Sequence, residues 1–233
     1  MSNSDRLGTV LITGAASGLG MAVALAVRQA GGRPIALDRE PVPGVPHELV
    51  DLADARAAED AVRRLVDGAG GVLDAVVTAA GTDQPCAFGD QDGAQWDRIV
   101  LINLLGTAAV VRASMPYLRG SANPRVVTVA STLGHRVFPD ASAYCASKFG
   151  VVGFTRALQA ELKGEIAVTL LTPGGMHTAF FDDRDERYKP PADAKLNRPE
   201  DVAASVLHVL TQPPGCEIKE LVVASAWEGS WPP

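Results

Sequence analysis

A chain of 233 residues, 47% hydrophobic and only 21% charged, can bury one large core, which excludes an intrinsically disordered protein. The formal net charge of −6 with no basic cluster argues against nucleic acid as a partner, because a phosphate backbone would be repelled. Three scattered cysteines (Cys86, Cys145, Cys216) and four histidines lack metal-ligand spacing, so no metal site is expected.

In chain order, Met1–Arg6 lacks the apolar core of a signal peptide. No apolar stretch is read as reaching the roughly 20 residues of a membrane helix, so a cytoplasmic protein without membrane contact is expected. The apolar run Thr9–Ile12 leads into Thr13-Gly14-Ala15-Ala16-Ser17-Gly18-Leu19-Gly20, and Met21 to Ala30 reads as helix. In a strand, glycine turn and helix of this kind, Gly14, Ser17, Gly18, Leu19 and Gly20 bring backbone amides and a helix dipole to a phosphate. A second strand, Pro34–Asp38, ends on a carboxylate about 20 residues past the turn, where an acid can hold the adenosine ribose hydroxyls.

Further strand-like runs follow at Glu48–Leu52, Leu73–Ala79, Arg125–Ala130, Ile166–Thr172 and Leu221–Ser225, with helical segments between them. Unbroken apolar strands joined by long crossovers predict an α/β, Rossmann-type doubly wound parallel sheet of about seven strands. Helices cover both faces, crossovers are right-handed, and residues 1–233 form a single domain. Ligands of such sheets bind beyond the carboxyl ends of the strands, where Gly14, Asp38, Asp51, Gly81, Ser131 and Pro173 fall. A helix from Ala143 to Leu162 puts Tyr144 and Lys148 one turn apart on a shared face. From Ala179 to Lys195, two aromatics (Phe180, Phe181) precede a dense mix of charge, readable as a lid over substrate or as a solvated surface segment. Arg198-Pro199-Glu200 opens a final helix running to about Thr211.

The ordered set of Thr13–Gly20, Asp51-Leu52, Ala79-Ala80-Gly81, Asn103, Ser131, Tyr144 with Lys148, and Pro173-Gly174 with Thr178 resembles the short-chain dehydrogenase/reductase family. The likeness is to its shorter, single-domain subgroup and runs from about Thr9 to Ser225. One departure is Thr78-Ala79-Ala80-Gly81, where the family usually has Asn-Asn-Ala-Gly and gains strand-bracing side-chain bonds. The resemblance implies that Asp51, Leu52, Ala80, Gly81, Pro173, Gly174, Met176 and Thr178 line the cofactor, with Thr178 at the nicotinamide carboxamide. It gives Asn103 a water linking Lys148 to solvent, against the plainer reading of a polar residue bracing a helix kink. It also implies a homodimer or homotetramer through the helices Asn103–Leu118 and Ala143–Leu162, both rich in small and apolar residues on more than one face. Trp227, Trp231 and the closing prolines read as a tail packing on a neighbour or as a disordered end.

Oxidising an alcohol needs a base for the hydroxyl proton as hydride leaves; reducing a ketone needs the same group as acid. A phenol titrates at about 10, so working at about pH 7 to 8 asks for roughly 3 to 4 kcal/mol. An ammonium about 4 Å away supplies on the order of 4 kcal/mol at an effective dielectric of about 20. Tyr144 is therefore read as the acid/base and Lys148 as the cation that depresses its pKa; in the family the lysine also bonds the nicotinamide ribose. Ser131 would donate to the substrate oxygen. Asp38 would repel a 2′-phosphate, so NAD is expected over NADP, with Arg39 as the counterweight. Leu133, His135, Cys145, Gly175 and Phe180 are candidates for shaping the substrate end, and His177 flanks it. The expected activity is hydride transfer between NAD(H) and a secondary alcohol or ketone metabolite. The alternatives are an NADPH-dependent ketoreductase of 3-ketoacyl type and a dinucleotide-binding sensor without turnover.

Overall fold

Short unbroken runs of Val, Ile and Leu give each central strand two apolar faces, and both are covered. The computed structural model describes residues 7–232; the Met1–Arg6 segment and Pro233 lie outside the described residues. Strands β1 (Thr9–Thr13), β2 (Arg33–Asp38), β3 (His47–Leu49), β4 (Ala75–Thr78), β5 (Arg125–Val129), β6 (Ala167–Pro173) and β7 (Glu220–Val223) form one seven-stranded sheet in the order β3-β2-β1-β4-β5-β6-β7. Every pairing is parallel. Because strand order reverses between β1 and β4, the connections that leave their carboxyl ends run to opposite faces of the sheet and leave a crevice between them.

Side chains alternate across the sheet. Val10 and Ile12 point to a core shared with α1 (Gly18–Gln29) and α6 (Pro199–Leu210). Leu11, Ile35 and Val76 point to the opposite core, built with α2 (Ala55–Gly68) and α4 (Thr107–Leu118). Helices α3 (Gly93–Val100) and α5 (Ser142–Glu161) complete the set. The helix ends follow local chemistry: Asp54 caps α2 by accepting from the Arg56 and Ala57 amides, and Pro199 opens α6 where no N–H is missed.

Three expectations need correction. The third strand is His47–Leu49 rather than Glu48–Leu52, because its partner β2 ends at Asp38, opposite Leu49, and Asp51 opens a turn by accepting the Ala53 and Asp54 amides. The helix that holds Asn103–Leu118 begins earlier than expected: Leu101–Gly106 is a π-helical turn joining α3 to α4. As a result Gly93–Leu118 is one continuous 26-residue helical run with a mean hydropathy of 1.6 in its most apolar window, long and apolar enough to cross a membrane. Ile99, Asn103, Val110, Val111 and Leu118 of that run are buried within the fold.

Candidate active site

The glycine turn is built by close approach. A Cβ on Gly20 would fall 2.1 Å from the Gly14 carbonyl oxygen, and one on Gly14 would fall 2.8 Å from the Ala80 backbone. Gly14 also sits at φ +71°, a region that only glycine enters freely. Ser17 makes no side-chain cap and the first turn of α1 carries no acid, so the leading amides of the helix have no side-chain acceptor. That arrangement suits the phosphates of a dinucleotide. Thr13 Oγ1 accepts the Ala80 N–H at 3.0 Å and clamps the exit of β4 to that of β1. Thr78 replaces the family's asparagine, and its hydroxyl is buried without a partner among the described residues.

Asp38 accepts the Ala16 N–H at 2.8 Å and the Glu40 N–H at 3.0 Å, so its carboxylate is stitched to the glycine turn. Asp51 is exposed, accepts the Ala53 N–H and pairs with Arg98 at 2.6 Å. Burial opposes its ionisation, but Ala53 and Arg98 hold the carboxyl below its ordinary range. Leu52 is buried against Gly106.

Tyr144, Ser147 and Lys148 project from the start of α5. Lys148 is 5% exposed, donates to the Val129 carbonyl at 2.9 Å, and stands 5.6 Å from the centroid of the Tyr144 ring. Burial pushes its pKa down to about 8, against the pull of the Asp83 carboxylate. Gly81 admits both neighbours, since a Cβ there would lie 3.6 Å from Lys148 Nζ and 3.4 Å from Asn103 Oδ1. Asn103 accepts the Thr82 N–H at 2.8 Å and donates to the Thr82 carbonyl at 2.9 Å and to Ser147 Oγ at 3.0 Å. Its side chain thus braces the loop after β4. Ser131 Oγ accepts the Leu133 N–H at 3.2 Å and stands near enough to the Tyr144 phenol to favour its ionised form.

The phenol does not titrate as the lysine alone would dictate. Burial drives it well above its ordinary value; Asp83 raises it further, while the Ser131 hydrogen bond and Arg184 oppose the rise. The expected depression by Lys148 is not seen: the main charges that act on the phenol are those of Asp83 and Arg184, while the Lys148 ammonium donates to the Val129 carbonyl.

Asp83 and Arg184 went unnoticed in the sequence. They pair at 2.8 Å with side chains 5% and 12% exposed, and the guanidinium lies 4.9 and 4.6 Å from the Phe180 and Phe181 ring centroids. Phe180 in turn packs 5.9 Å from the Tyr144 ring. The segment expected to be a lid or a solvated surface holds two 3₁₀ turns, Ala179–Phe181 and Glu186–Tyr188; Phe180 and, between the turns, Arg184 are partly buried, while Asp182, Asp183 and Arg187 are exposed.

The remaining candidates divide. Pro173 and Gly174 are buried at the end of β6, and Thr178 Cγ2 lies 3.4 Å from where a Cβ on Gly18 would stand, so this loop reaches the glycine turn. Met176 bridges to Asn197 and packs on the core, and His177 is exposed. Leu133 is partly buried and Cys145 is buried in α5. His135 bonds Thr172 Oγ1 at 3.1 Å and meets the Trp231 ring edge-on at 5.5 Å, which turns it to packing. The same contact shows that the tail folds back on its own chain rather than trailing free, although Trp227 is 76% exposed.

A doubly wound sheet with an uncapped glycine turn at its switch point and a Ser-Tyr-Lys cluster beside it defines a dinucleotide-dependent oxidoreductase. The short chain dehydrogenase family model matches residues 8–189, and the chain belongs to that family of oxidoreductases, which use a nicotinamide dinucleotide. It is 28% identical over 225 residues to an uncharacterised oxidoreductase of Staphylococcus aureus strain MW2, covering 91% of this chain and 95% of that protein. The ligand-free aldohexose dehydrogenase of Thermoplasma acidophilum superposes with a TM-score of 0.84 at 20% identity, over 95% of this chain and 94% of that one. An alcohol dehydrogenase of the archaeon Thermococcus sibiricus, complexed with 5-hydroxy-NADP, gives a TM-score of 0.83 at 21% identity, over 94% and 97%. At those identities the likeness to the two solved structures is one of fold.

Proposed function

We propose that this chain interconverts a secondary alcohol and a ketone on a small metabolite, with NAD(H) as hydride partner and Tyr144 as the proton-transferring group. The observation that carries the reading is the cluster of the Tyr144 phenol, Ser131 hydroxyl and Lys148 ammonium beside Gly81, next to a glycine turn whose helix amides lack side-chain acceptors. A bound nicotinamide supplies the hydride or accepts it. The raised pKa keeps Tyr144 protonated at neutral pH, so it gives its proton to a carbonyl oxygen that Ser131 orients. Lys148, whose ammonium lies 5.6 Å from the centroid of the Tyr144 ring, is the cation that would face the phenolate left behind, although it does not lower the pKa of the resting phenol. Phe180 and the Asp83–Arg184 pair shield the reacting atoms from water.

The Asp38 carboxylate, fixed against the glycine turn, supports NAD over NADP, since a 2′-phosphate there would face a negative charge. The bound 5-hydroxy-NADP of the Thermococcus enzyme makes this the point to test. Secondary alcohols and ketones are screened with NAD(H) and NADP(H) by absorbance of the reduced nicotinamide. Turnover with a clear preference for NAD is expected. Equal catalytic efficiency with both cofactors would show that Arg39 has overruled Asp38, and turnover with NADPH alone would favour the ketoreductase alternative.

The same reading includes a homo-oligomer through α4 and α5. Its support is the large apolar side chains left 46% and 44% exposed at Leu105 and Phe149. Light scattering on the purified chain reads this directly, and a monomer would contradict it.

A further inference from the structure

Beyond β7 the chain turns back: Ser225 O accepts the Glu228 N–H at 2.9 Å, and Ser225 Oγ accepts the Trp227 N–H at 3.1 Å. This aims Glu228 into the space between the loops that follow β5 and β6. Its Oε2 accepts the Gly175 N–H at 2.9 Å, and its Oε1 accepts from the Ser230 amide at 3.1 Å and hydroxyl at 2.7 Å. Ser230 Oγ is also hydrogen-bonded to Thr132 Oγ1 at 2.7 Å, one residue from Ser131. Arg136 donates to the Gly229 carbonyl at 2.9 Å and closes the far side of the strap.

One carboxylate therefore ties together the loop that carries Gly174–Thr178 and the loop that carries Ser131. Its approach depends on glycine, because a Cβ on Gly174 would stand 2.5 Å from Glu228 Oε2. The far end of the first loop lies beside the glycine turn, where a Cβ on Gly18 would come within 3.4 Å of Thr178 Cγ2. Among the described residues Glu228 makes no ion pair; amide and hydroxyl dipoles alone satisfy it. Burial works against its charge, yet the bonds from Ser230 and Gly175 hold its pKa below the ordinary value, so it stays ionised.

We infer that Glu228 is a positioning residue: it sets the cofactor loop after β6 and the Ser131 loop after β5 in register, so that bound dinucleotide and proton-transfer groups face each other. This rests on the reading of Tyr144, Ser131 and the glycine turn given under Proposed function.

The test measures NADH affinity by nicotinamide fluorescence, kcat and KM, and thermal melting in the full chain for Glu228→Ala, Glu228→Gln and Trp231→Ala. Loss of charge-assisted hydrogen bonds predicts that Glu228→Ala binds NADH roughly tenfold or more weakly. Glu228→Gln falls between Glu228→Ala and the parent, because its amide oxygen still accepts from Gly175 while its NH₂ cannot accept from Ser230. Trp231→Ala loosens the tail but keeps the carboxylate, so its melting temperature falls while NADH affinity holds. Glu228→Ala and Glu228→Gln proteins that melt lower yet keep parental NADH affinity, kcat and KM would overturn the inference and leave a purely structural strap. Should Glu228→Ala not fold, Glu228→Gln decides. A parent that binds NADH but turns over no substrate sinks the proposed reaction while the binding data still judge Glu228. A parent that does not bind NADH sinks both.

Discussion

Replacing Lys148 by Met should make the cofactor-free protein more stable near neutral pH and abolish its turnover. The ammonium is buried, with one carbonyl, that of Val129, as its hydrogen-bond acceptor, and titrates at about 8 instead of 10.5. At about 1.4 kcal/mol per pH unit, holding it charged costs the folded state roughly 3 kcal/mol. Below about pH 8 lysine is protonated in both folded and unfolded chains, so that cost is fully present. Between about 8 and 10.5 the folded chain has released the proton while the unfolded chain keeps it, so stability climbs with pH; above 10.5 the penalty is gone. Lys148→Met removes the penalty and leaves the Val129 carbonyl without its donor, a loss of about 1 to 2 kcal/mol. The variant is thus about 1 to 2 kcal/mol more stable than the parent at about pH 7, and less stable above about pH 10.5. Urea unfolding of both proteins across this range gives the difference at each pH. A difference that does not change with pH, or a Met variant destabilised equally at both ends, would refute the reasoning.

Two further outcomes follow from the same charges. Asp83→Asn removes a carboxylate that raises the Tyr144 pKa and releases Arg184, which lowers it, so the pH at which alcohol oxidation is half-maximal should fall by roughly one unit. A pH–rate profile that does not move in a folded Asp83→Asn protein would contradict this. Asp38→Ala, with Arg39 kept, should raise kcat/KM for NADP roughly tenfold or more while weakening NAD; an unchanged cofactor ratio would remove Asp38 as the discriminator.

What could be read from the sequence was what local chemistry dictates. β1 and β5 are buried along their whole length, so each carries a core of Val, Leu or Ile that marks it in the sequence. The glycine turn shows itself because backbone contact at Gly14 and Gly20 tolerates no other residue. The third strand reads longer in the sequence than it is, because Val50 and Leu52 continue its apolar pattern while its partner β2 ends at Asp38, opposite Leu49. The π-helical turn at Leu101–Gly106 has no periodicity of its own, and without it Gly93–Leu118 does not read as one apolar helix.

The electrostatics of the site were not legible. The direction of the Tyr144 pKa is set by burial, which no local pattern around Tyr144 shows; Phe180, 5.9 Å from its ring, comes from a loop beyond β6. Asp83 and Arg184 stand 101 positions apart, and each reads alone as an ordinary loop charge. Glu228 follows the last strand in a segment with no repeating pattern, so only the fold shows that it accepts from Gly175.

The most direct test of the account is Tyr144→Phe, assayed for turnover on any alcohol or ketone the parent accepts and, in parallel, for NADH binding by fluorescence. Turnover should fall by roughly a hundredfold or more, the contribution expected of a positioned acid/base, while NADH affinity stays close to the parent's. A Tyr144→Phe protein that turns over at the parental rate would show that the phenol moves no proton in the reaction.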